Sequence, residues 1–302
     1  MIKSLYLIVM LSIFSDAVIA GEWEDRRSRL EKSVIYDQFR IFYSVSGNDG
    51  LSKARKIDSN RNRVPDFIES VGSRLVEADR FFRFEVGLTS PLRGRRYGGR
   101  AHYIDVNILD FSMNSKGPKN GVAYDGTPTF NRSVSGQRTL RVLAIDLSMS
   151  VRLKSNSVEH ELFHLYQNGY TFFKNRWYTE GTARWSELIM SGRIGKGEEL
   201  PKSTLQKEVL FNKTYDAKGF WNELIRRTDQ KTLGKNFIRH LFEQLDYADD
   251  VVARKRGLSN KYWKESEQRS KSNNPYIWNA VMESVTRMGQ GDGTEMQALR
   301  RL

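Results

Sequence analysis

Two of the chain's four histidines stand four residues apart, in His160-Glu161-Leu162-Phe163-His164, and no other feature constrains the fold as tightly. On an α-helix, residues four apart lie one above the other, about 6 Å apart along the axis. Two imidazoles placed in this way can reach one metal ion, and Glu161 beside the first can hold a water. The stretch reads as a helix. Asn156 with Glu159 three residues on forms a capping-box pattern, Val158, Leu162 and Leu165 give an apolar stripe, and Gly169 offers a stop. The plainer alternative is a pair of ordinary helix-surface or capping histidines, and the residues that follow argue against it.

A catalytic zinc takes three protein ligands and leaves one position open for water. Fifteen residues separate His164 from Glu180, which lies in a second helical run, Trp177-Tyr178-Thr179-Glu180-Gly181-Thr182-Ala183-Arg184-Trp185. A helix, a turn and an antiparallel helix bring this carboxylate back over the two imidazoles. Glu187, two turns further along the same face, is the reserve third ligand. The competing role for Glu180 is that of a helix N-terminal carboxylate stabilised by the dipole.

Trp177 to Ala183, taken with the histidine motif, resembles the W-x-x-E-G-x-A signature of the gluzincin clan of zinc metallopeptidases. In that clan the third ligand is a Glu on the helix after H-E-x-x-H. The resemblance implies zinc on His160, His164 and Glu180, with Glu161 as the catalytic proton acceptor. It also implies an α+β, thermolysin-like fold in two lobes, an N-terminal mixed sheet with helices and a helical C-terminal lobe. The expected reaction is hydrolysis of peptide bonds in a peptide or protein substrate. Candidate donors to the developing oxyanion are His240, Tyr247 and Tyr262. No G-x-M-x-N motif of the kind that grips a free amine is present, which favours an endopeptidase. The alternative is a catalytically inactive gluzincin-like protein that binds anionic cell-envelope or surface partners.

A second pattern spans Asp58, Asn60, Asn62, Asp66 and Glu69, whose oxygens fall at positions one, three, five, nine and twelve of an EF-hand-like calcium loop. Arg63 stands where such loops use Gly, and Pro65 where an aliphatic residue is usual. The competing reading is a polar turn leading into the next helix, with Pro65 at its first position. This stretch, and Gly87-Leu88-Thr89-Ser90-Pro91 beyond the helix, resemble a family of exported bacterial metalloproteases. There a D-x-N-x-N-G-x-P-D motif precedes a helix ending in G-x-x-x-P. The resemblance runs in patches from Phe39 to Trp185.

Residues 1–20 read as a cleaved export signal, with Lys3, an apolar run from Leu5 to Phe14, and a small-residue end at Ala20. The expected destination is the periplasm or the outside. Beyond the signal no stretch is long and apolar enough for a transmembrane anchor. The chain has no Cys, which excludes disulfides, a lipoprotein anchor and a thiolate-bound metal. Its net charge of +13 favours anionic partners such as envelope polymers, but the basic residues are scattered and no nucleic-acid motif accompanies them. The densest patch, Arg93, Arg95, Arg96 and Arg100, reads as a solvated loop.

The division expected is a signal over 1–20, an N-terminal α/β lobe over 21–150, and the zinc helix with a helical lobe over 151–302. Residues 22–32 read as a solvated charged arm and 39–45 as a strand. Phe67, Val71, Leu75, Ala78 and Phe82 mark a helix from Pro65 to Val86. Strands are expected over 101–110 and 139–147, with a long loop over 112–138 between them. The resemblance implies that the strand at 139–147 borders the cleft and pairs with substrate. Beyond Gly192, helices at Phe220–Arg227, Phe237–Leu245 and Pro275–Met288 gather around Trp221, Trp263 and Trp278, and 289–302 are expected to fray.

Overall fold

The computed structural model describes residues 25–112, 120–126, 129–130, 140–290 and 293–302. Residues 1–20, read above as an export signal, and much of the 112–138 stretch lie outside them. The fold is α+β. Strands β1 (Lys32–Tyr36), β2 (Phe39–Tyr43), β3 (Tyr103–Leu109), β4 (Gly121–Ala123) and β6 (Leu140–Ser148) form a mixed sheet in the order β1-β2-β3-β6-β4, and β5 (Thr129–Phe130) also pairs with β6. The β2–β3 and β3–β6 pairs are parallel, while β1–β2, β4–β6 and β5–β6 are antiparallel.

One face of this sheet is apolar and lies under helices. Ile41, Ile104, Val106, Ile108, Leu143 and Ile145 are buried there with Phe67, Val71, Leu75 and Ala78 of α1 (Asp66–Arg80). A π-helical turn, Phe81–Glu85, extends α1, and Gly87, in the left-handed region at φ +81°, ends it. The polar residues that alternate along these strands do not face water. Arg40 bonds both oxygens of Asp105 at 2.7 and 2.8 Å, and Asn107 donates to Asp146 at 2.9 Å. The arm covers this side, so the expectation of a solvated arm is corrected. Arg26 pairs with Asp49 in the turn after β2 and Arg27 with Asp146 on β6, and both arginines are buried, Arg27 because the sheet's second face carries a carboxylate that needs a cation.

Helices α2 (Ser157–Tyr170) and α3 (Arg176–Ile189) form the antiparallel hairpin at the centre of the molecule. Val158, Leu162 and Leu165 are buried as the stripe required, but the capping box does not form. Asn156 takes a left-handed conformation and sends its amide across to the Glu187 carbonyl, while its oxygen accepts from Arg74. Glu159 pairs with Arg74 at 2.6 Å instead of returning to the cap. These bonds tie the start of α2 to α1 and to the last turn of α3.

Beyond the hairpin come α4 (Thr204–Phe211), α5 (Lys218–Asp229), α6 (Lys235–Arg256), α7 (Glu265–Gln268), α8 (Asn274–Arg287) and α9 (Thr294–Arg300). Trp221 stacks on Trp177 of α3 with centroids 5.5 Å apart, Trp278 packs beside them, and Trp263 stacks on Phe172 at 5.0 Å. The end of the chain is helical, not frayed, because Met296 and Leu299 are buried. Arg95 and Arg96 are not part of a solvated loop either. Arg95 bridges Asp246, Asp249 and Asp250 of α6, and Arg96 is buried against the Asn168 and Thr171 carbonyls and Asp125. Among the described residues no helix is long and apolar enough to cross a membrane.

Candidate metal centre

The α2–α3 hairpin brings His160, His164 and Glu180 together, with ligand atoms all within 4.8 Å of one another. Glu180 Oε2 lies 3.4 Å from His160 Nε2 and 3.5 Å from His164 Nε2, and the two Nε2 atoms are 3.0 Å apart. The outer nitrogens fix this orientation. His164 Nδ1 meets Gln167 Oε1 at 2.7 Å, and Gln167 spends its own amide hydrogens on the Thr179 carbonyl and Thr182 Oγ1. The oxygen of Gln167 therefore accepts, and Nδ1 of His164 carries the hydrogen. His160 Nδ1 faces Glu187 Oε1 at 2.9 Å, which Arg184 also bonds at 2.7 Å. Glu187, the reserve ligand, is thus placed behind His160 rather than in the trio. In the neutral tautomers these partners favour, two nitrogen lone pairs and a carboxylate oxygen face one another. Glu180 Oε2 is buried and has no hydrogen-bond donor among the described residues. Such an arrangement needs a positive charge at its centre, which is the chemistry of a metal site.

Without a metal, a proton is the substitute. Burial pushes the His160 imidazole down, but contacts with Glu180 and Glu187 outweigh this and raise it from 6.5 to about 9. Glu180 is held far below the usual carboxylate range by the two imidazoles, against the opposing effect of burial. Glu161 moves the other way. It is buried, and burial raises its carboxyl against the lowering effect of the two histidines.

Glu161 is positioned by β4, the last strand on that side of the sheet. It accepts a hydrogen bond from the Ala123 N–H. Asn120 and Tyr124 bond to β6, so by antiparallel alternation Gly121 and Ala123 turn their backbone groups outward. The expectation that the 139–147 strand borders the cleft is corrected here. β6 is interior, paired on both sides, and β4, from the stretch read as loop, takes the border. A cleft of about 760 Å³ runs along it, lined by Gly121, Val122, Glu161, His164, Glu180 and residues of the helical side.

Of the three candidate donors to an oxyanion, Tyr262 lines this cleft; His240 meets Glu243 on α6 and Tyr247 is an exposed residue of α6. Sequence reasoning missed Tyr215. Its ring centroid lies 6.0 Å from that of His160, its hydroxyl is hydrogen-bonded to Glu180, and it lines the same cleft. It stands on a short 3-10 turn, Tyr215–Ala217, between α4 and α5, where no periodicity marks it.

The Asp58–Glu69 loop is a separate feature. Asp58 accepts from the backbone N–H groups of Asn62 and Arg63 at 3.1 and 2.8 Å, and the amides of Asn60 and Asn62 donate to Glu69. Arg63 adopts φ +73°, the turn that a glycine would make there. Asp66 is not drawn into this group; it accepts from Ser59 N–H and Oγ at 2.9 and 2.6 Å.

Searches against protein-family models, curated proteins and solved structures find no match to this chain.

Proposed function

We propose that the chain is an exported, zinc-dependent endopeptidase of the gluzincin kind, built on a thermolysin-like two-lobe plan. The observation that carries this reading is the convergence of His160 Nε2, His164 Nε2 and Glu180 Oε2 beside the buried carboxylate of Glu161, under an open strand border. Two imidazole nitrogens and one carboxylate oxygen suit zinc, whereas calcium and magnesium take oxygen ligands. When bound, zinc would supply Lewis acidity, lowering the pKa of a water toward 7 and polarising the scissile carbonyl.

The chain's own groups account for the rest. An extended peptide would add to the border of β4 through the outward N–H and carbonyl of Gly121 and the carbonyl of Ala123, whose N–H is given to Glu161. Glu161, raised by burial toward the working pH, accepts the proton of the attacking water and returns it to the leaving amine. Tyr215, a half-exposed residue lining the cleft, turns its hydroxyl from Glu180 to donate to the carbonyl oxygen as it gains charge. Gln167 and Glu187 hold the two imidazoles in the tautomer that the site needs.

The test is Glu161→Gln. Metal content should stay near one per chain while digestion of casein or a peptide library falls by about 10²–10⁴-fold. A variant that digests as fast as wild type would refute the mechanism. Export is tested separately, by finding Gly21 at the mature N-terminus. We further propose that the Asp58–Glu69 loop takes calcium as a structural ion, supported by the turn at Arg63 and the gathering of Asp58, Asn60, Asn62 and Glu69.

A further inference from the structure

The cleft contains three cations, Lys174, Arg176 and Arg269, and they differ in how fully they are already engaged. Lys174 donates to Asn168 Oδ1 and lies 3.6 Å from Asp125. Arg269 gives its Nε to Glu265 Oε1 at 2.7 Å. Arg176 makes no hydrogen bond among the described residues. Its nearest carboxylate is Glu180 Oε1 at 3.6 Å, while Oε2 of the same group faces the imidazoles. The guanidinium lies 5.6 Å from the centroid of the Tyr215 ring, which limits where it can go, and 48 % of the side chain stays exposed. A planar cation with unspent donors, one turn before a metal-binding carboxylate and inside the cleft, is suited to a paired carboxylate. The charges of Lys174 and Arg269 add a field of the same sign around it.

We propose that Arg176 determines specificity by receiving a carboxylate of the substrate. The favoured substrates are then peptides with an Asp or Glu side chain near the scissile bond, or with a free C-terminal carboxylate within reach. This rests on the peptidase reading and adds a substrate class to it. Glu180 stays free for the imidazoles because Arg176 approaches its other oxygen.

Quenched fluorescent peptides of one frame, with Glu or Gln at each position flanking the scissile bond and with either an acid or an amide C-terminus, test this. Wild type should show a Glu-over-Gln or acid-over-amide ratio in kcat/KM of about ten- to a hundredfold, the range of hydrogen bonds to charged groups. Arg176→Gln should bring that ratio close to one, and Arg269→Gln should leave it in place. A ratio that follows the chain end and not the side chain identifies the source of the carboxylate. Equal cleavage of charged and neutral peptides by wild type overturns the proposal and leaves the peptidase reading standing. So does Arg176→Gln slowing all peptides alike with loss of zinc, because Arg176 then only steadies Glu180. If wild type cleaves none of them, the peptidase reading fails, and fluorescence anisotropy on zinc-loaded Glu161→Gln decides the inference. A charged-over-neutral affinity ratio abolished by adding Arg176→Gln upholds it, and a ratio of one overturns it.

Discussion

Gly121 is where the geometry of the site can be tested with a single methyl group. A Cβ built on it would lie 2.5 Å from Glu161 Cγ and 3.0 Å from both Cδ and Oε1. Carbon atoms pack at about 3.5–4.0 Å, so Gly121→Ala forces the Glu161 side chain to withdraw by roughly 1 Å. The backbone raises no objection, because Gly121 is a strand residue outside the left-handed region. Alanine there also reduces the freedom of the unfolded chain, and the net change in stability should stay within about 1 kcal/mol. A reacting group misplaced by about 1 Å can cost on the order of 10²-fold in rate, or about 2.7 kcal/mol of barrier. The expected result is therefore a fall in kcat of that order, with melting temperature and zinc stoichiometry close to wild type. Differential scanning fluorimetry, metal analysis and peptide turnover read the three quantities. Adding Gly121→Ala to Glu161→Gln should cost little more, since both act on one group. Full activity in a natively melting Gly121→Ala protein would refute the placement of Glu161 against β4. Loss of zinc would mean that α2 shifts as a body and carries His160 with it.

Three further outcomes follow from the structure. Glu180→Ala should abolish zinc binding, whereas Glu187→Ala should weaken it by about 10–100-fold, as loss of a partner behind a ligand does; equal zinc affinities in a competition titration would refute this ordering. Burial lowers Lys174 from 10.5 to about 8 against the pull of Asp125, so the folded state binds fewer protons than the unfolded between those values and stability rises with pH across that window. The stability of wild type relative to Lys174→Met should increase by about 3 kcal/mol from pH 7.5 to 10.5 in urea unfolding, and a flat difference would exclude the shift. Calcium at 100 times its dissociation constant should stabilise the zinc-loaded protein by about 2.7 kcal/mol, and Asp58→Ala should erase that gain; no shift in melting at millimolar calcium would leave a plain polar turn.

The trio was legible in the sequence because its chemistry is local. His160 and His164 share one helix face by spacing alone, and Glu180 lies on the next helix after a short turn, so little tertiary knowledge was needed to join them. The long helix from Asp66 and the helices of the C-terminal side were legible for the same reason, an apolar residue every three or four positions. What escaped depends on partners distant in the chain. β4 has three residues in a Gly- and Ser-rich tract, too few for alternation to register, and it is a strand because β6 offers it a ladder. Tyr215 enters the site through the packing of α5 on α3, in which Trp221 donates to the Trp177 carbonyl at 2.8 Å. Charged residues misled most. Arg27 and Arg96 look solvated in sequence, yet Arg27 meets the fully buried Asp146 of the sheet, and Arg96 meets Asp125 just beyond β4 and the carbonyls of Asn168 and Thr171.

Those buried cations bear on the chemistry through β4. A three-residue strand cannot hold its own position, and Glu161 depends on that position for the hydrogen bond from Ala123. The anchor is Asp146 of β6, directly opposite Val122 in the ladder and fully buried. It accepts from the Tyr124 hydroxyl at 2.9 Å, from Asn107 at 2.9 Å and from Arg27 at 2.7 Å, and the Arg27 guanidinium lies 4.4 Å from the centroid of the Tyr124 ring. A carboxylate so placed is tolerable only while its cation stays, since breaking a buried pair costs about 3–5 kcal/mol. Asp146 therefore binds the arm to the sheet with the same contacts that hold Tyr124, and Tyr124 immediately follows the strand that positions Glu161. Arg27, distant from His160, His164 and Glu180 in sequence and on the sheet's other face, thus supports the strand that borders the cleft.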